Sequence, residues 1–381
     1  MKNDPVEYLF RLVKFPTYQD ESKNIPKGMK DCSSFLSYHL RELGFDVTID
    51  ELFSVTAEKE FDGEGTFLAN AHFDTVPPSP EWEDALIPSS RGGKIFGLGS
   101  SDDKGSIASI LAALYRLEDC RFRKLIVQFV NYEDNSIEYQ GQKRLGMPYF
   151  LSKNPEFKAD YGINVEPTVR DDKIVVDVGC TGRISFTVKT IGKEAHSSRP
   201  ELGKNAIYDM IKVEEAIRQI PPGKYKIDDF EAEMPVNVAM INGGRAINIV
   251  PGECTINCER RLFPDEDPEK IKETIRSALN KLEGIKTELN FNPRVQLPYI
   301  VDKSEYFVKL VTGSVHQNLG YHPPIQIDRG RTDSVYLYHD RGIKTVIIGP
   351  GESSMCHSVG EYINIDRLRE FTRVMTTLLS K

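Results

Sequence analysis

The spacing of apolar and polar residues along this chain changes near Gly179. Before that point, short strand-like segments alternate with segments in which apolar residues recur at helical spacing. This alternation, with carboxylate residues at several strand ends, predicts an α/β fold built on a mostly parallel sheet. The predicted strands are 45–52, 67–71, 124–130 and 161–165, and the predicted helices are 4–15, 30–43 and 107–117.

After Gly179 the strand-like segments alternate apolar and polar residues in a regular way. The predicted elements follow the order strand, helix, two strands, helix, strand, which is the ferredoxin-like split motif. They are 183–191, 205–220, 236–241, 252–260, 268–282 and 285–291. We therefore expect an inserted α+β domain at 180–296. Residues 1–179 and 297–381 then form the first domain, which is completed by helices at 307–319 and 365–379 and a strand at 344–348.

Composition and charge narrow the class of protein. The chain has 381 residues, of which 39% are hydrophobic and 28% charged, and this is typical of a soluble globular protein. Its net charge of -8 argues against general binding of nucleic acid or an anionic membrane. No apolar run approaches the length needed to span a bilayer, so we expect a cytoplasmic protein. The six cysteines form no C-x-x-C pair, and we expect them to be buried free thiols.

The first candidate site residues follow the end of the strand at 67–71. If the chain stays extended there, His72 and Asp74 lie on one face, as a metal ligand and its orienting partner would. Asp102 lies in a glycine-rich turn that opens a helix, and open α/β sheets hold their sites at the carboxyl ends of strands. The alternative for each residue is an ordinary structural role, which is the common case for a single His-x-Asp pair.

Histidines and carboxylates recur at the ends of predicted strands or in the adjoining loops. The five candidate ligands are His72, Asp102, Asp134, Glu166 and His357. Two histidines and three carboxylates suit zinc, with cobalt or manganese as alternatives.

The motifs H-x-D-T-V-P and G-x-G-x-x-D-x-K-G, in this order, make the chain resemble a known family. It is the dizinc metallopeptidase and deacylase family of acetylornithine deacetylase, succinyl-diaminopimelate desuccinylase, aminoacylase and glutamate carboxypeptidase. The resemblance runs from about residue 5 to the C-terminus. It implies a zinc-peptidase-like catalytic domain, an inserted lid and dimerisation domain, and two divalent metal ions per chain.

The resemblance also implies roles for residues of the first domain. Asp102 matches the carboxylate that bridges the two metals, His72 and Glu166 match the ligands of one metal, and Asp134 and His357 match those of the other. Glu133 matches the general base. The family usually has Glu where this chain has Asp134, and the loop 136–146 is not the family's short turn, so the position of the second metal stays open.

Residues of the inserted domain match positions that reach the substrate in the family. His196 matches the histidine that donates to the carbonyl oxyanion across a dimer interface, and Asn248 matches a polar contact. Arg261 matches the arginine that holds a substrate carboxylate. The family more often has Asp-x-Arg where this chain has Glu259-Arg260-Arg261, so Arg260 is the alternative.

The segment D-R-G-R-T-D-S resembles a substrate loop of the family and contains Thr332. Arg331 stands where the family usually has Gly, and it either contacts a second anionic group or faces water.

The prediction is a homodimeric metal-dependent amidohydrolase that cleaves an acetyl- or succinyl-type N-acyl amino acid through a hydroxide that bridges the metals. A di- or tripeptidase or a carboxypeptidase of the same family is the alternative, followed by a non-catalytic binding paralogue.

Overall fold

The computed structural model describes residues 4–19 and 24–381, and the chain divides into two compact units. The first unit comprises the described residues of Met1–Gly179, Val301–Asp328 and Thr332–Lys381. The second comprises Cys180–Ile300 and the short stretch Arg329–Arg331.

The helices are α1 (Pro5–Leu12), α2 (Lys27–Glu42), α3 (Lys104–Leu114), α4 (Gly146–Lys153), α5 (Ala206–Arg218), α6 (Pro268–Asn280), α7 (Tyr306–Leu319), α8 (Ser334–Arg341) and α9 (Ile365–Leu379). The strands are β1 (Asp46–Ile49), β2 (Val55–Glu60), β3 (Thr66–His72), β4 (Ser89–Arg91), β5 (Lys94–Phe96), β6 (Lys124–Val130), β7 (Ile137–Tyr139), β8 (Gln142–Arg144), β9 (Tyr161–Asn164), β10 (Val169–Arg170), β11 (Lys173–Ile174), β12 (Val176–Cys180), β13 (Gly182–Ile191), β14 (Gly223–Ile227), β15 (Phe230–Met234), β16 (Asn237–Gly243), β17 (Glu253–Leu262), β18 (Lys286–Phe291), β19 (Tyr299–Ile300), β20 (Ile325–Asp328), β21 (Lys344–Ile347) and β22 (Tyr362–Asn364).

A mixed sheet forms the centre of the first unit. Strands β6, β3, β9 and β21 lie side by side and parallel, in that order. The strands outside this group, β2 and β1 on one side and β12 on the other, pair in the antiparallel sense. The prediction of an α/β fold is therefore confirmed, and the parallel strands are those in the middle of the sheet.

The parallel strands are apolar along most of their length because helices cover them. In β3 and β6 every residue after the first is buried. Helix α3 is buried throughout and packs against β3, α1 and α9. Strands covered on both faces have continuous apolar runs rather than an alternating pattern, and this explains why the sequence predicts β6 so clearly.

The carboxyl ends of the parallel strands bring the candidate ligands to one edge of the sheet. His72 ends β3, Glu166 follows β9, and the segment after β6 leads to Asp134. The segment after β21 passes so close to β9 that a Cβ atom at Gly349 would lie 2.3 Å from the carbonyl oxygen of Glu166. Only glycine fits there, and the chain then continues to His357.

The second unit contains a four-stranded antiparallel sheet in the order β16-β17-β13-β18. Helices α5 and α6 contribute Met210, Val213, Ile217, Ile275 and Leu279 to its core. The hairpin β14–β15 stands between α5 and β16 and was not predicted from the sequence. Its strands are only five residues long and alternate exposed charged residues with mostly half-buried apolar ones, and they meet at a turn in which Asp228 has a φ of 49°.

Two expectations about the whole chain are tested by the fold. The six cysteines are thiols that form no disulfide, but Cys356 is only partly buried, so the expectation of burial was wrong for that residue. Among the described residues, no helix has the length and apolar character required for a membrane span.

Candidate metal centre

His72 lies at the buried end of β3 with its two ring nitrogens in different surroundings. Nδ1 lies 3.0 Å from the backbone carbonyl oxygen of Asp74, which can only accept a hydrogen bond. Nδ1 therefore carries a proton. Nε2 faces carboxylates on the other side, 3.1 Å from Asp102 Oδ1 and 3.7 Å from Glu166 Oε2. The ring is thus oriented to offer Nε2 as a ligand atom.

The carboxylate of Asp74 has a broader role than the predicted partnership with His72. It lies 3.6 Å from Nδ1 of His72, farther than the backbone carbonyl oxygen of the same residue. It accepts hydrogen bonds from the backbone N–H of Glu133 at 2.9 Å and of Asn135 at 3.0 Å. Asp74 therefore also holds in place the loop that carries Glu133 and Asp134.

Asp102 lies between the two candidate histidines. Its Oδ1 is 3.1 Å from His72 Nε2, and its Oδ2 is 3.5 Å from His357 Nε2. His357 Nε2 is also 3.2 Å from Oδ1 of Asp134. The structure thus brings the five predicted ligands together, with a different histidine facing each oxygen of Asp102. The peptide bond between Asp102 and Asp103 is cis.

Asp103 belongs to the same cluster and was not predicted as a candidate ligand. Ligand atoms lie within 4.8 Å of one another in two groups, His72 with Asp102 and Asp134, and His72 with Asp103 and Glu166. The signal in the sequence was the Asp-Asp pair itself, which places two carboxylates in the turn before α3.

Negative charge accumulates in this buried space. Burial raises the pKa of Asp103, Glu133 and Glu166 well above the ordinary values, and neighbouring carboxylates raise each pKa further. The hydrogen bond to Asp134 raises the pKa of His357 to about 9. Burial alone would lower the pKa of His72, but Glu166 and Asp102 raise it. Each of these raised pKa values favours the protonated form of its group, so the cluster as a whole favours binding of positive charge.

The donor set fits divalent metal ions. In the described part of the chain, Asp134 Oδ2 and Asp103 Oδ1 are buried and have no hydrogen-bond partner. A buried carboxylate oxygen without a partner is costly unless a cation binds it. Imidazole nitrogens and carboxylate oxygens are ligands of zinc, cobalt and manganese, so the residues present can hold such ions.

Two buried asparagines support Glu166 and were missed from the sequence. Asn164 Nδ2 donates to Glu166 Oε1 at 2.8 Å, and Asn70 Nδ2 donates to Asn164 Oδ1 at 2.6 Å. Each asparagine stands two residues before a candidate ligand, Asn70 before His72 and Asn164 before Glu166. Since strand residues two apart share a face, an Asn within an apolar run was the available signal.

His196 and Asn248 lie near each other on the surface of the second unit. The backbone N–H of Ser198 donates to His196 Nδ1 at 3.1 Å, so Nδ1 is an acceptor and Nε2 carries the proton. The backbone N–H of Ser197 donates to the carbonyl oxygen of Asn248 at 3.0 Å. Both residues are exposed, and His196 therefore offers an N–H donor to solvent or to a ligand.

The two candidate arginines of β17 lie in different surroundings. The Arg260 side chain is buried, and its Nη2 lies 2.6 Å from Glu266 Oε1. Arg261 is partly exposed, and its Nε donates to Glu259 Oε1 at 2.8 Å. The Arg260 guanidinium is therefore engaged by Glu266 inside the unit, and Arg261 is the arginine that a ligand can approach.

Thr332 and Arg331 belong to different units. Thr332 is buried, and its hydroxyl oxygen lies 2.6 Å from that of Ser334 at the start of α8. Arg331 is partly buried, and the hydroxyl of Thr181 holds the neighbouring backbone by donating to the carbonyl oxygen of Arg329 at 2.7 Å. The Thr332 hydroxyl is engaged in local structure, so the geometry of this residue does not itself indicate a substrate contact.

Comparisons with known proteins agree with this chemistry. The family model for peptidase family M20/M25/M40 matches residues 68–381. An acetylornithine deacetylase of Vibrio vulnificus is 27% identical over 361 residues, covering 91% of this chain and 90% of the relative. A succinyl-diaminopimelate desuccinylase of Nitrosospira multiformis is 25% identical over 363 residues, covering 90% of each. The crystal structure of a tripeptidase from Staphylococcus aureus has a TM-score of 0.75 at 21% identity, covering 100% of this chain and 98% of that one, and shares the fold.

Proposed function

We propose that this chain, which belongs to peptidase family M20/M25/M40, is a two-metal amidohydrolase that removes the acyl group from an N-acyl amino acid. The family consists of metallopeptidases and deacylases, hydrolases that act on amide bonds. The observation that carries the proposal is the position of Asp102, whose two carboxylate oxygens face two different histidines.

In this proposal Asp102 would bind both ions, with zinc expected and cobalt or manganese as alternatives. His72 and Glu166 would complete one site, and Asp134 and His357 the other. The shorter side chain of Asp134 is compatible with this role because its Oδ1 already lies 3.2 Å from His357 Nε2. When bound, such a metal pair activates water and polarises the scissile carbonyl group.

Glu133 is proposed to move the proton in this reaction. Hydrogen bonds to Asp74 fix the loop on which it lies. Burial raises its pKa well above the ordinary value, and the charges of Asp333 and Asp134 add to the rise. A carboxylate with a raised pKa can accept a proton from the attacking water and return it to the leaving amine near neutral pH.

Three residues of the second unit are proposed to contact the substrate. The Nε2–H of His196 would donate to the oxyanion that develops on the carbonyl oxygen, a contact worth ~3 kcal/mol in other oxyanion holes. Arg261 would hold the carboxylate of the amino acid through its planar guanidinium group. Asn248, close to His196, would supply a further polar contact, while a role for Thr332 rests on the family resemblance alone.

The segment 180–296 is proposed to act as a lid and dimerisation domain, with a second copy of the chain as its partner. Strand β16 is at the edge of its sheet and exposes Met240 and Ile241. Helix α5 packs beside it and exposes Tyr208 and Ile211. An apolar edge strand is a liability unless another chain covers it, and two copies can pair such strands around a twofold axis.

The dimer proposal predicts complementation between two inactive variants. Glu133→Gln removes the base of one chain, and His196→Ala removes the donor that the other chain receives. Mixed dimers then contain one complete site, so an equal mixture should recover roughly a quarter of wild-type activity. Activity is measured after subunit exchange has been shown by mass spectrometry. Exchange without any recovery of activity would mean that each site is built within one chain.

The substrate class is tested with a panel of N-acetyl amino acids, N-succinyl amino acids and dipeptides, each with added zinc, cobalt or manganese. The names of the two deacylating relatives support an N-acyl amino acid. Faster hydrolysis of dipeptides would favour the di- or tripeptidase or carboxypeptidase alternative. Metal binding without hydrolysis of any member would favour a binding paralogue. The cytoplasm is the proposed location.

Arg331 is proposed to favour substrates with a second negative charge, because it adds a cation with five donors where the family usually has Gly. Arg331→Gly should lower kcat/KM for N-succinyl substrates roughly tenfold or more relative to N-acetyl substrates. Arg294→Gly, at an exposed position of the same unit, is the control and should change neither. Equal losses on both substrates, or no loss, would leave Arg331 without a recognition role.

A further inference from the structure

The carboxylate of Glu361 accepts three hydrogen bonds from one loop of the metal centre. Its Oε1 accepts from the backbone N–H of Ser101 at 2.7 Å and of Asp102 at 2.9 Å. Its Oε2 accepts from the backbone N–H of Gly99 at 2.8 Å. Glu361 is buried, with 2% of its surface exposed. One side chain therefore satisfies three donors in the loop that carries the proposed bridging ligand.

The loop is held at its two ends by backbone hydrogen bonds, from the N–H of Leu98 to the carbonyl oxygen of Ala85 at 2.7 Å and from the N–H of Lys104 to that of Gly99 at 2.8 Å. It lies between β5 and α3 and pairs with no strand of the central sheet. Gly99 has a φ of 77°, a conformation that glycine adopts readily, so the loop turns sharply there. Without an acceptor at Glu361, three backbone N–H groups would be left buried and unsatisfied.

The segment that carries Glu361 also carries the candidate ligand His357. The backbone N–H of Glu361 donates to the carbonyl oxygen of Ser358 at 3.2 Å, which closes a turn just after His357. The carbonyl oxygen of Glu361 accepts from the N–H of Gly97 at 3.0 Å. Glu361 thus joins the segment of His357 to the loop of Asp102, although the two are far apart in the chain.

We propose that Glu361 is a positioning residue for the metal centre. Its carboxylate holds the 99–102 loop so that the two oxygens of Asp102 face His72 and His357 before any ion binds. The inference rests on the proposed two-metal site, but it concerns a residue that is not itself a ligand. Because Asp102 serves both sites in that proposal, loss of the Glu361 carboxylate should weaken the binding of both ions.

Glu361→Gln is the sharpest test because it keeps the size of the side chain. It replaces one acceptor oxygen with an NH₂ group, so that a donor of the side chain would face the donor of a backbone N–H group. Glu361→Asp keeps the charge but is one methylene too short. Glu352→Gln is the matched control, because Glu352 meets the loop through its backbone, with its N–H 2.6 Å from Ser101 Oγ.

The first measurement is made without metal. Hydrogen–deuterium exchange of the chelator-stripped protein should show faster exchange in the peptide that contains residues 97–105 for Glu361→Gln than for wild type or Glu352→Gln. The second measures zinc affinity by competition with a chromophoric chelator. Both zinc sites should weaken roughly tenfold or more in Glu361→Gln, with partial recovery in Glu361→Asp and none of this change in Glu352→Gln.

Unchanged exchange, or wild-type zinc affinity in a folded Glu361→Gln protein, would overturn the inference. It would also be overturned if neither Glu361 variant folds, since the carboxylate would then serve the fold as a whole. Failure of the wild-type protein to bind zinc, cobalt or manganese would instead refute the proposed function. The exchange experiment on the metal-free protein still decides whether Glu361 holds the loop.

Discussion

Replacing Glu133 with Gln should lower kcat by roughly 10²–10⁴ while leaving the metal content unchanged. Gln has the same shape, and the backbone hydrogen bond from residue 133 to Asp74 does not depend on the side chain. What is lost is the proton acceptor, which the reaction needs when water attacks and again when the amine leaves. The measurement is steady-state kinetics on the best substrate, with elemental analysis of the same preparation.

Glu156→Gln is the control for Glu133→Gln, because Glu156 is an exposed carboxylate of the same unit. It should retain wild-type kcat. A Glu133→Gln enzyme within a few fold of wild type would show that another group moves the proton. A variant that loses both activity and metal would show that Glu133 holds the centre together instead.

Asp102→Ala should abolish the binding of both ions, because both proposed sites share this carboxylate. Each of its oxygens faces a different histidine, at 3.1 Å for His72 and 3.5 Å for His357. Elemental analysis of gently purified protein should fall from about two ions per chain to nearly none, and activity should disappear with them.

Two further variants separate a bridging ligand from an ordinary one. Asp134→Ala should lose mainly one ion, because the proposal assigns Asp134 to the site that it shares with His357, whose Nε2 lies 3.2 Å from its Oδ1. The exposed control Asp340→Ala should lose none. Full metal occupancy in Asp102→Ala would rule out Asp102 as the bridge. Loss of a single ion would assign it to one site only.

The elements that the sequence predicts best are those that packing specifies most strongly. Strand β6 and helix α9 begin and end at the predicted residues 124–130 and 365–379. The first is a run covered on both faces, and the second has one apolar stripe. The hairpins β7–β8 and β14–β15 were missed because their strands are only three to five residues long and bury few side chains.

Strand alternation in β17 distinguishes its two arginines. Arg260 has the same parity as the buried residues Ile256 and Cys258, so it points to the face that packs against the helices. Its buried ion pair with Glu266 follows from that position. The pattern alone would have favoured Arg261 as the arginine that meets a ligand.

The contacts around the candidate ligands were harder to foresee. Glu361 binds backbone N–H groups of a loop some 260 positions earlier in the chain, and no local pattern marks a side chain that accepts from a distant backbone. The ligand residues themselves could be proposed because they lie at the ends of predicted strands or in the adjoining loops and match motifs of the family. Their partners depend on how the loops fold over one another, which only the structure describes.

In the proposed mechanism, amide hydrolysis requires two metal ions held by Asp102. The most direct test is to titrate zinc into chelator-stripped wild-type protein while following hydrolysis of an N-acyl amino acid and metal binding in parallel. The stripped protein should not hydrolyse the substrate, and activity should reach its plateau as binding approaches about two ions per chain. Hydrolysis at the full rate by the stripped protein, or a protein that binds no divalent metal, would contradict this mechanism.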